Sequence, residues 1–385
     1  MWNTVKLSSV CKTTSGGTPK KGTPEYYNEG TIPWIKSGDL KDGNITSVPD
    51  FITDIAIKES SAKIIPEDTL MIAMYGATVG KVGISKIEAA TNQAVCSIFP
   101  NEKIIKEFLF YYLISIRTSL INQSIGGAQP NISQTIIKNL DVPLPPINQQ
   151  KRIVDILKRA EGIVRLRKEQ LEKTRALIPA LFIDMFGDPA TNPKGWAEVP
   201  INDLVKETAQ GSPNKFGLKN FQYIDIASVN GEYGTIETLK TISANEAPSR
   251  ARKKVSSQDV IISTVRPNLK ASAIVNQSLD GTIASTGFCV LSPSKNLCTE
   301  FLYTLVRSAW FVGELVKQAK GASYPAVSDK IIKEMTVPIP PMSLQTEFQA
   351  QFLNIFATID SQNAGLKKQE TLFESLLHGA FNGEL

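Results

Sequence analysis

Val142-Pro143-Leu144-Pro145-Pro146 and Val337-Pro338-Ile339-Pro340-Pro341 are two copies of one proline-rich stretch, and each leads into a long helix-like segment. Pro143 and Pro338 lie 195 residues apart. The same offset, without a gap, joins Gln150 to Gln345, Leu157 to Phe352, Leu171 to Leu366 and Phe186 to Phe381. An ungapped offset of this kind is an internal repeat. We therefore expect one structural unit that is used twice.

The repeat extends to a head that precedes each proline-rich stretch. The heads begin at Trp2 and Trp196, and both soon pass through a turn, at Gly17-Thr18-Pro19 and Gly211-Ser212-Pro213. Short apolar runs then follow in the first head, at residues 32–35, 69–74, 82–84 and 94–99. This spacing is typical of a mostly antiparallel sheet. We further expect a helix over residues 108–116 and an exposed loop over residues 125–133.

Apolar residues recur every seven positions in the segments that follow the prolines. The predicted helix seam consists of Leu157, Val164, Leu171 and Ile178 in the first segment and Phe352, Ile359, Leu366 and Phe373 in the second. A heptad seam requires a partner helix. The predicted fold is therefore α+β, with two similar heads separated by an antiparallel coiled coil of two long helices. Pro179 is expected to kink or end the first helix. The alternative is that each helix packs only on its own head.

This organisation predicts four segments. Residues 1–146 form the first head, 147–187 a central helical spacer, 188–340 the second head and 341–385 a C-terminal helical spacer.

The four cysteines include no Cys-x-x-Cys pair, which favours reduced thiols in a cytoplasmic protein. No apolar run is long enough to span a bilayer, so no membrane partner is expected.

Catalytic motifs are weak throughout the chain. Residues 76–82 resemble a phosphate loop, but they have one residue too few between the glycines and Val82 where magnesium needs Ser or Thr. The single histidine, His378, has no metal-ligand spacing around it. An acidic residue before Asp39-Leu40-Lys41 could be fitted to a nuclease pattern, but such triplets arise by chance in most chains. We therefore predict no catalytic site, no metal site and no cofactor bound by this chain.

Polar loop residues are better candidates for a function, because Arg, Lys, Asn and Gln donate hydrogen bonds to base edges and phosphates. The net charge of +5 is consistent with an anionic partner but does not require one. The predicted DNA-binding residues are Lys20, Lys21, Lys36, Tyr75, Thr78, Lys81, Gln129 and Asn131 in the first head and Asn214, Lys215, Arg250, Arg252, Lys253, Lys254, Arg266, Asn268, Lys270, Ser323 and Tyr324 in the second. Each is equally well explained as a solvated loop residue.

The proline-rich exits, Gln149-Gln150-Lys151-Arg152 after the first exit, and residues 32–40 and 76–81 resemble specificity subunits of type I restriction-modification systems. The resemblance covers the whole chain. It implies two target-recognition domains, each reading one half of a split site in double-stranded DNA. It also implies two methyltransferase (M) subunits that bring S-adenosylmethionine, and restriction (R) subunits that use ATP and Mg. Gln149 stands where the family usually has an acidic residue. A structural coiled-coil adaptor without sequence preference is the main alternative, and a stand-alone nuclease is a further one.

Overall fold

The computed structural model describes residues 2–122, 131–321 and 323–385. They form two compact units. The first contains Met1–Lys168 together with Ala364–Leu385, and the second contains Glu169–Asn363. The unit boundary therefore falls inside both long helices. The four predicted sequence segments divide the chain differently, because they keep each helix whole, and they remain a prediction.

The first unit is built from eleven strands and from helices that pack on them. The strands are β1 (Thr4–Lys6), β2 (Cys11–Ser15), β3 (Ile32–Ile35), β4 (Gly43–Ile45), β5 (Phe51–Ile52), β6 (Lys63–Ile65), β7 (Leu70–Ala73), β8 (Val82–Ser85), β9 (Ala89–Thr91), β10 (Val95–Pro100) and β11 (Asp141–Pro143). The helices are α1 (Leu7–Val10), α2 (Asp54–Glu59), α3 (Lys106–Ser115), α4 (Arg117–Asn122), α5 (Gln134–Lys138), the first part of α6 (Ile147–Phe186) and the last part of the C-terminal helix Met342–Asn382.

The second unit contains twelve strands. They are β12 (Ala197–Pro200), β13 (Val205–Lys206), β14 (Asn220–Ile224), β15 (Val229–Asn230), β16 (Thr235–Ile236), β17 (Lys240–Ser243), β18 (Ala251–Lys254), β19 (Val260–Ser263), β20 (Ser272–Ile274), β21 (Ile283–Ser285), β22 (Phe288–Pro293) and β23 (Thr336–Ile339). Its helices are the last part of α6, α7 (Ile201–Leu204), α8 (Thr299–Arg307), α9 (Ala309–Gln318), α10 (Asp329–Glu334) and the first part of α11 (Met342–Asn382).

Strand order repeats between the units. The order β2-β10-β7-β8-β4 in the first unit corresponds to β13-β22-β19-β20 in the second, and β5-β3-β9-β6 corresponds to β17-β14-β21-β18. The pairs β3/β9 and β14/β21 are both parallel, and β4/β8 is a further parallel pair. The remaining pairs are antiparallel, so the predicted mostly antiparallel sheet is confirmed. The expectation of one structural unit used twice is confirmed at the level of topology.

The proline-rich stretches close the two heads. Val142 pairs with Val5 between β11 and β1, and Val337 pairs with Val199 between β23 and β12. Both sheets have only two strands. Proline is tolerated in such edge positions because its missing N–H leaves no partner unpaired inside a sheet. Each head thus begins and ends at one short hairpin-like pair, from which a long helix departs.

Each long helix is continuous. Helix α6 has 40 residues and continues through Pro179 to Phe186, and α11 has 41 residues. Pro179 therefore does not end the helix early, and the other expectation, a kink at Pro179, stays a prediction. Proline lacks the N–H that would bind the carbonyl of Arg175. Because Pro179 is exposed, water can take the place of that single lost bond.

The two long helices pack against each other inside each unit. In the first unit Leu157 belongs to the same buried cluster as Leu377 and Ala380, and Lys168 Nζ lies 2.7 Å from Glu370. In the second unit Phe186 contacts Phe348, with ring centroids 5.2 Å apart. Early residues of one helix thus meet late residues of the other. The predicted antiparallel pairing is confirmed within each unit.

Candidate nucleic-acid interface

Two loops lie side by side in the second unit, and we call them the second paired loops. They are residues 264–271, which connect β19 to β20, and residues 320–321 together with 323–327. Val327 N donates to Thr264 O at 2.9 Å, and Arg266 N donates to Pro325 O at 2.7 Å. The backbone bonds therefore bring together two loops that are distant in sequence. Five predicted DNA-binding residues are exposed on them: Arg266, Asn268, Lys270, Ser323 and Tyr324.

The guanidinium of Arg307 holds one end of these loops. Its Nη1 donates to Lys270 O at 3.1 Å and to Ser272 O at 3.2 Å. Its Nη2 donates to Gly231 O at 3.0 Å and to Glu232 O at 2.8 Å. The planar fork of arginine suits several carbonyls at once. Arg307 therefore joins the loop after β19 to the turn between β15 and β16.

The first unit has the same arrangement, which we call the first paired loops. Residues 74–81 connect β7 to β8, and Ile132 N donates to Met74 O at 2.7 Å. Tyr75 forms a β-bridge with Asn131. Both side chains were predicted to bind DNA, and the structure brings them together. Residues 123–130, which include Gln129, lie outside the described residues.

Arg117 in the first unit binds a loop carbonyl, as Arg307 does in the second. Its Nε donates to Gly80 O at 3.0 Å, and its Nη2 binds the Asp42 carboxylate. Asp42 also accepts from Lys81 Nζ at 2.6 Å. The Lys81 ammonium thus has an ion partner within its own unit. Thr78 Oγ1 donates to Ser37 O at 2.7 Å, which ties its hydroxyl to the neighbouring turn.

A second set of predicted residues lies in the turn of the first unit that follows β2. Gly17 N donates to Thr91 O at 2.9 Å, and a Cβ on Gly16 would stand 1.9 Å from the same oxygen. Only glycine permits this close approach. Lys20 and Lys21 are exposed just beyond this contact. Lys36 lies over the ring of Trp34, with Nζ 2.6 Å from Asp50, and Trp34 Nε1 donates to Gly17 O of this turn at 3.3 Å.

The corresponding turn of the second unit lies along the edge strand β18. Gly211 N donates to Arg252 O at 2.9 Å, and Gln210 forms a β-bridge with Lys253. Asn214, Lys215, Arg250 and Arg252 are exposed here. Lys253 differs from its neighbours. It is only 4% exposed and forms an ion pair with Asp329. Its ammonium is therefore directed to a partner within the unit.

The predicted helix seam is partly buried. Leu157, Leu171, Phe352 and Ile359 are buried, whereas Val164, Ile178, Leu366 and Phe373 are half-buried. Leu157 belongs to a buried cluster of the first unit and Phe352 to one of the second. The role of the whole seam stays a prediction.

Two glutamines fix the long helices to the heads, and the sequence analysis singled them out only as repeat positions. Gln150 Oε1 accepts from Ile105 N at 2.8 Å, and its Nε2 donates to Lys103 O and Pro145 O. Gln345 Oε1 accepts from Cys298 N at 2.9 Å, and its Nε2 donates to Pro340 O. Both side chains are fully buried. In the sequence, the only indication of this shared role is that the two glutamines lie 195 residues apart, as the other repeat positions do.

The thiols show no sign of reactivity. All four cysteines are buried, and burial raises the pKa of Cys11, Cys96 and Cys289 to about 12 in each case. A thiol that stays protonated is a poor nucleophile and a poor metal ligand.

Within the described ranges there is no cluster of His, Cys, Asp and Glu that would hold a metal ion. In the same ranges no helix has the length and apolarity to cross a bilayer.

Known proteins are similar to this chain in sequence. The profile of the type I restriction modification DNA specificity domain matches residues 1–174 and 193–371. The MjaIX specificity subunit of Methanocaldococcus jannaschii is 25% identical over 100% of this chain and 93% of its own length. The EcoR124I/EcoR124II specificity subunit of Escherichia coli is 31% identical over 46% of this chain and 47% of its own.

Two solved structures show the same fold. One comes from work on complex assembly and conformational transition of the type I R-M system. It covers 100% of this chain and 98% of its own, with a TM-score of 0.61 at 20% identity. The other is the type I restriction-modification S subunit of M. genitalium. It covers 99% of this chain and 96% of its own, with a TM-score of 0.55 at 15% identity.

Proposed function

Because this chain belongs to the type I restriction-modification DNA specificity family, we propose that it is the DNA specificity subunit of such a system. Each unit reads one half of a bipartite site in double-stranded DNA. The observation that carries this proposal is the pair of loops that recurs in both units on matching strands. The strands agree, whereas the polar residues of the loops differ: residues 74–81 carry Tyr75, Thr78 and Lys81, and residues 264–271 carry Arg266, Asn268 and Lys270. Matching supports with different polar loops suit two readers of one ligand class.

The chemistry belongs to other subunits in this proposal. M subunits bring S-adenosylmethionine and methylate the DNA, and R subunits use ATP and Mg to translocate and cut it. The chain itself binds none of these cofactors and acts without a catalytic site. The buried, protonated thiols and the weak catalytic motifs support that division of labour.

The long helices set the spacer between the two half-sites and dock the M subunits. A helix of 40 residues extends roughly 60 Å at about 1.5 Å per residue, which is far longer than a small head requires. Two half-sites read from one face of a duplex lie about 34 Å, one helical turn, apart. The length of α6 is therefore sufficient for a ruler between two reading heads.

Methylation sequencing tests the proposed function directly. The chain is co-expressed with its M subunit in a host that lacks other modification systems, and the methylated positions are mapped. We expect one motif with two specific parts and a nonspecific spacer, which disappears when this gene is deleted. Methylation without any motif would instead identify a structural adaptor. Cleavage of DNA by the purified chain with magnesium alone would identify a nuclease.

A further inference from the structure

Arg266 and Tyr324 form an exposed cation–π pair on the second paired loops. The guanidinium carbon lies over the tyrosine ring, 4.5 Å from its centroid, and Tyr324 is 68% exposed. The five N–H donors of a guanidinium are the groups that would bond to a base edge. Among residues 2–122, 131–321 and 323–385, no side-chain hydrogen bond or ion pair of Arg266 is found.

The backbone under Arg266 is held in an unusual conformation. Its φ and ψ are 49° and 61°, in the left-handed region that favours glycine. Such conformations persist only where surrounding contacts impose them, and they concentrate at functional sites. The contacts are present here. Arg266 N donates to Pro325 O at 2.7 Å, and Arg266 O accepts from Leu269 N at 2.9 Å.

Pro267 anchors the turn that carries this pair. Pro267 is buried, whereas Asn268, Leu269 and Lys270 are exposed. Lys270 N donates to Pro267 O at 3.0 Å, which closes a short helical turn. The loop is thus ordered by its own bonds and by Arg307, and still presents its side chains outward. An ordered support of this kind fixes the direction of a side chain, which recognition of a base requires and attraction to a phosphate does not.

We propose that Arg266 reads a guanine in the half-site of the second unit, with Tyr324 as its positioning residue. This inference rests on the proposed function. Arginine donates two parallel hydrogen bonds to O6 and N7 of guanine in the major groove, and that geometry is sensitive to the orientation of the guanidinium plane. The ring of Tyr324 sets that plane. Residues 74–81 of the first unit contain no arginine, so this contact belongs to the second half-site.

The test compares base preference in variants of the full complex with M subunits. The second half-site is first identified as the part of the methylated motif that changes when residues 188–340 are exchanged. Each base pair of that half-site is then varied, and methylation rates are measured. For the wild-type complex we expect one essential G·C pair. R266A should lose roughly 5- to 150-fold of the discrimination at that pair, while preferences at the other pairs stay unchanged.

Two further variants separate positioning from folding. Y324F keeps the ring and should retain the wild-type preference, whereas Y324L should lose discrimination at the same pair as R266A. K295A removes an exposed positive charge in the turn after β22 and is the charge-matched control, which should leave the preference at that pair intact. A uniform loss across all sequences in R266A would make Arg266 a phosphate contact and overturn the proposal. A half-site without an essential G·C pair would overturn it as well, with the proposed function still standing.

Discussion

At the scale of single residues, the buried amides of Gln150 and Gln345 explain why the repeat is strict where the helices begin. Each amide accepts from the N-cap residue of a head helix, Ile105 before α3 or Cys298 before α8. Each also donates to a carbonyl of the proline-rich stretch. One side chain thus satisfies buried backbone groups from two segments, and no other residue type of that size offers both an acceptor and donors.

Replacing either glutamine by leucine should destabilise the protein. Q345L leaves Cys298 N and Pro340 O buried without their partner, and an unsatisfied buried group costs about 1–3 kcal/mol. Q150L removes three bonds and should cost at least as much. The free energy of unfolding from urea titration of the full chain measures the change. Q149L, at the adjacent half-buried position, should change it by under about 0.5 kcal/mol, and an equal loss in both variants would contradict the argument.

The same scale shows where sequence reasoning stops. Lys81 and Lys253 were grouped with the DNA-binding residues because both lie in polar stretches. The structure pairs them with Asp42 and Asp329, which are too distant in sequence for any local pattern to reveal. Arg117 and Arg307 were not singled out for the same reason, because their carbonyl partners become neighbours only in the folded unit.

At the scale of elements, local pattern was informative for helices and strands and less so for their pairing. The helix expected over residues 108–116 is α3 (Lys106–Ser115), and the strand expected over 32–35 is β3. The parallel pair of β3 with β9 was not predicted, since parallel partners are joined by long connections that carry no local signal. The continuation of α6 through Pro179 was not predicted, because no local pattern shows that the helix is packed on both sides of the proline, at Leu157 in one cluster and Phe182 in the other.

Lengthening the long helices should lengthen the spacer of the recognised sequence. Four residues are inserted near Gln170 in α6 and four next to Ala364 in α11. They add about 6 Å and rotate the helix by about 400°, close to a full turn, so the apolar faces stay nearly aligned. We expect the spacer to grow by about two base pairs, as read by methylation sequencing. The same insertion next to Lys295 should not change it. An unchanged spacer in the helix variant would refute the ruler.

At the scale of the whole molecule, duplication is the property from which the proposed function follows. The sequence predicted it from the offset alone, and the strand orders of the two units agree with it. The offset did not show that each unit draws on both long helices. That division depends on tertiary packing, such as the contact of Phe381 with Phe108 and Tyr112 in the first unit, between residues at opposite ends of the chain.

Exchanging the first head should change one half of the recognised sequence and leave the other intact. Residues 1–146 are replaced by the corresponding head of another family member, with the aromatic residues at 108 and 112 retained so that Phe381 keeps its packing. Methylation sequencing of the chimaera reads both halves of the motif. A change in both halves would show that the heads do not read independently.

The split composition of the first unit also bears on how the protein is made. Translation delivers residues 1–168 early, but Leu377, Ala380 and Phe381, which complete the core around Phe108 and Leu157, leave the ribosome only after the second unit. Part of the apolar surface of the first unit therefore stays uncovered while the second unit is synthesised. A premature stop codon just ahead of Ala364 would thus damage the first unit, although residues 1–168 would be intact.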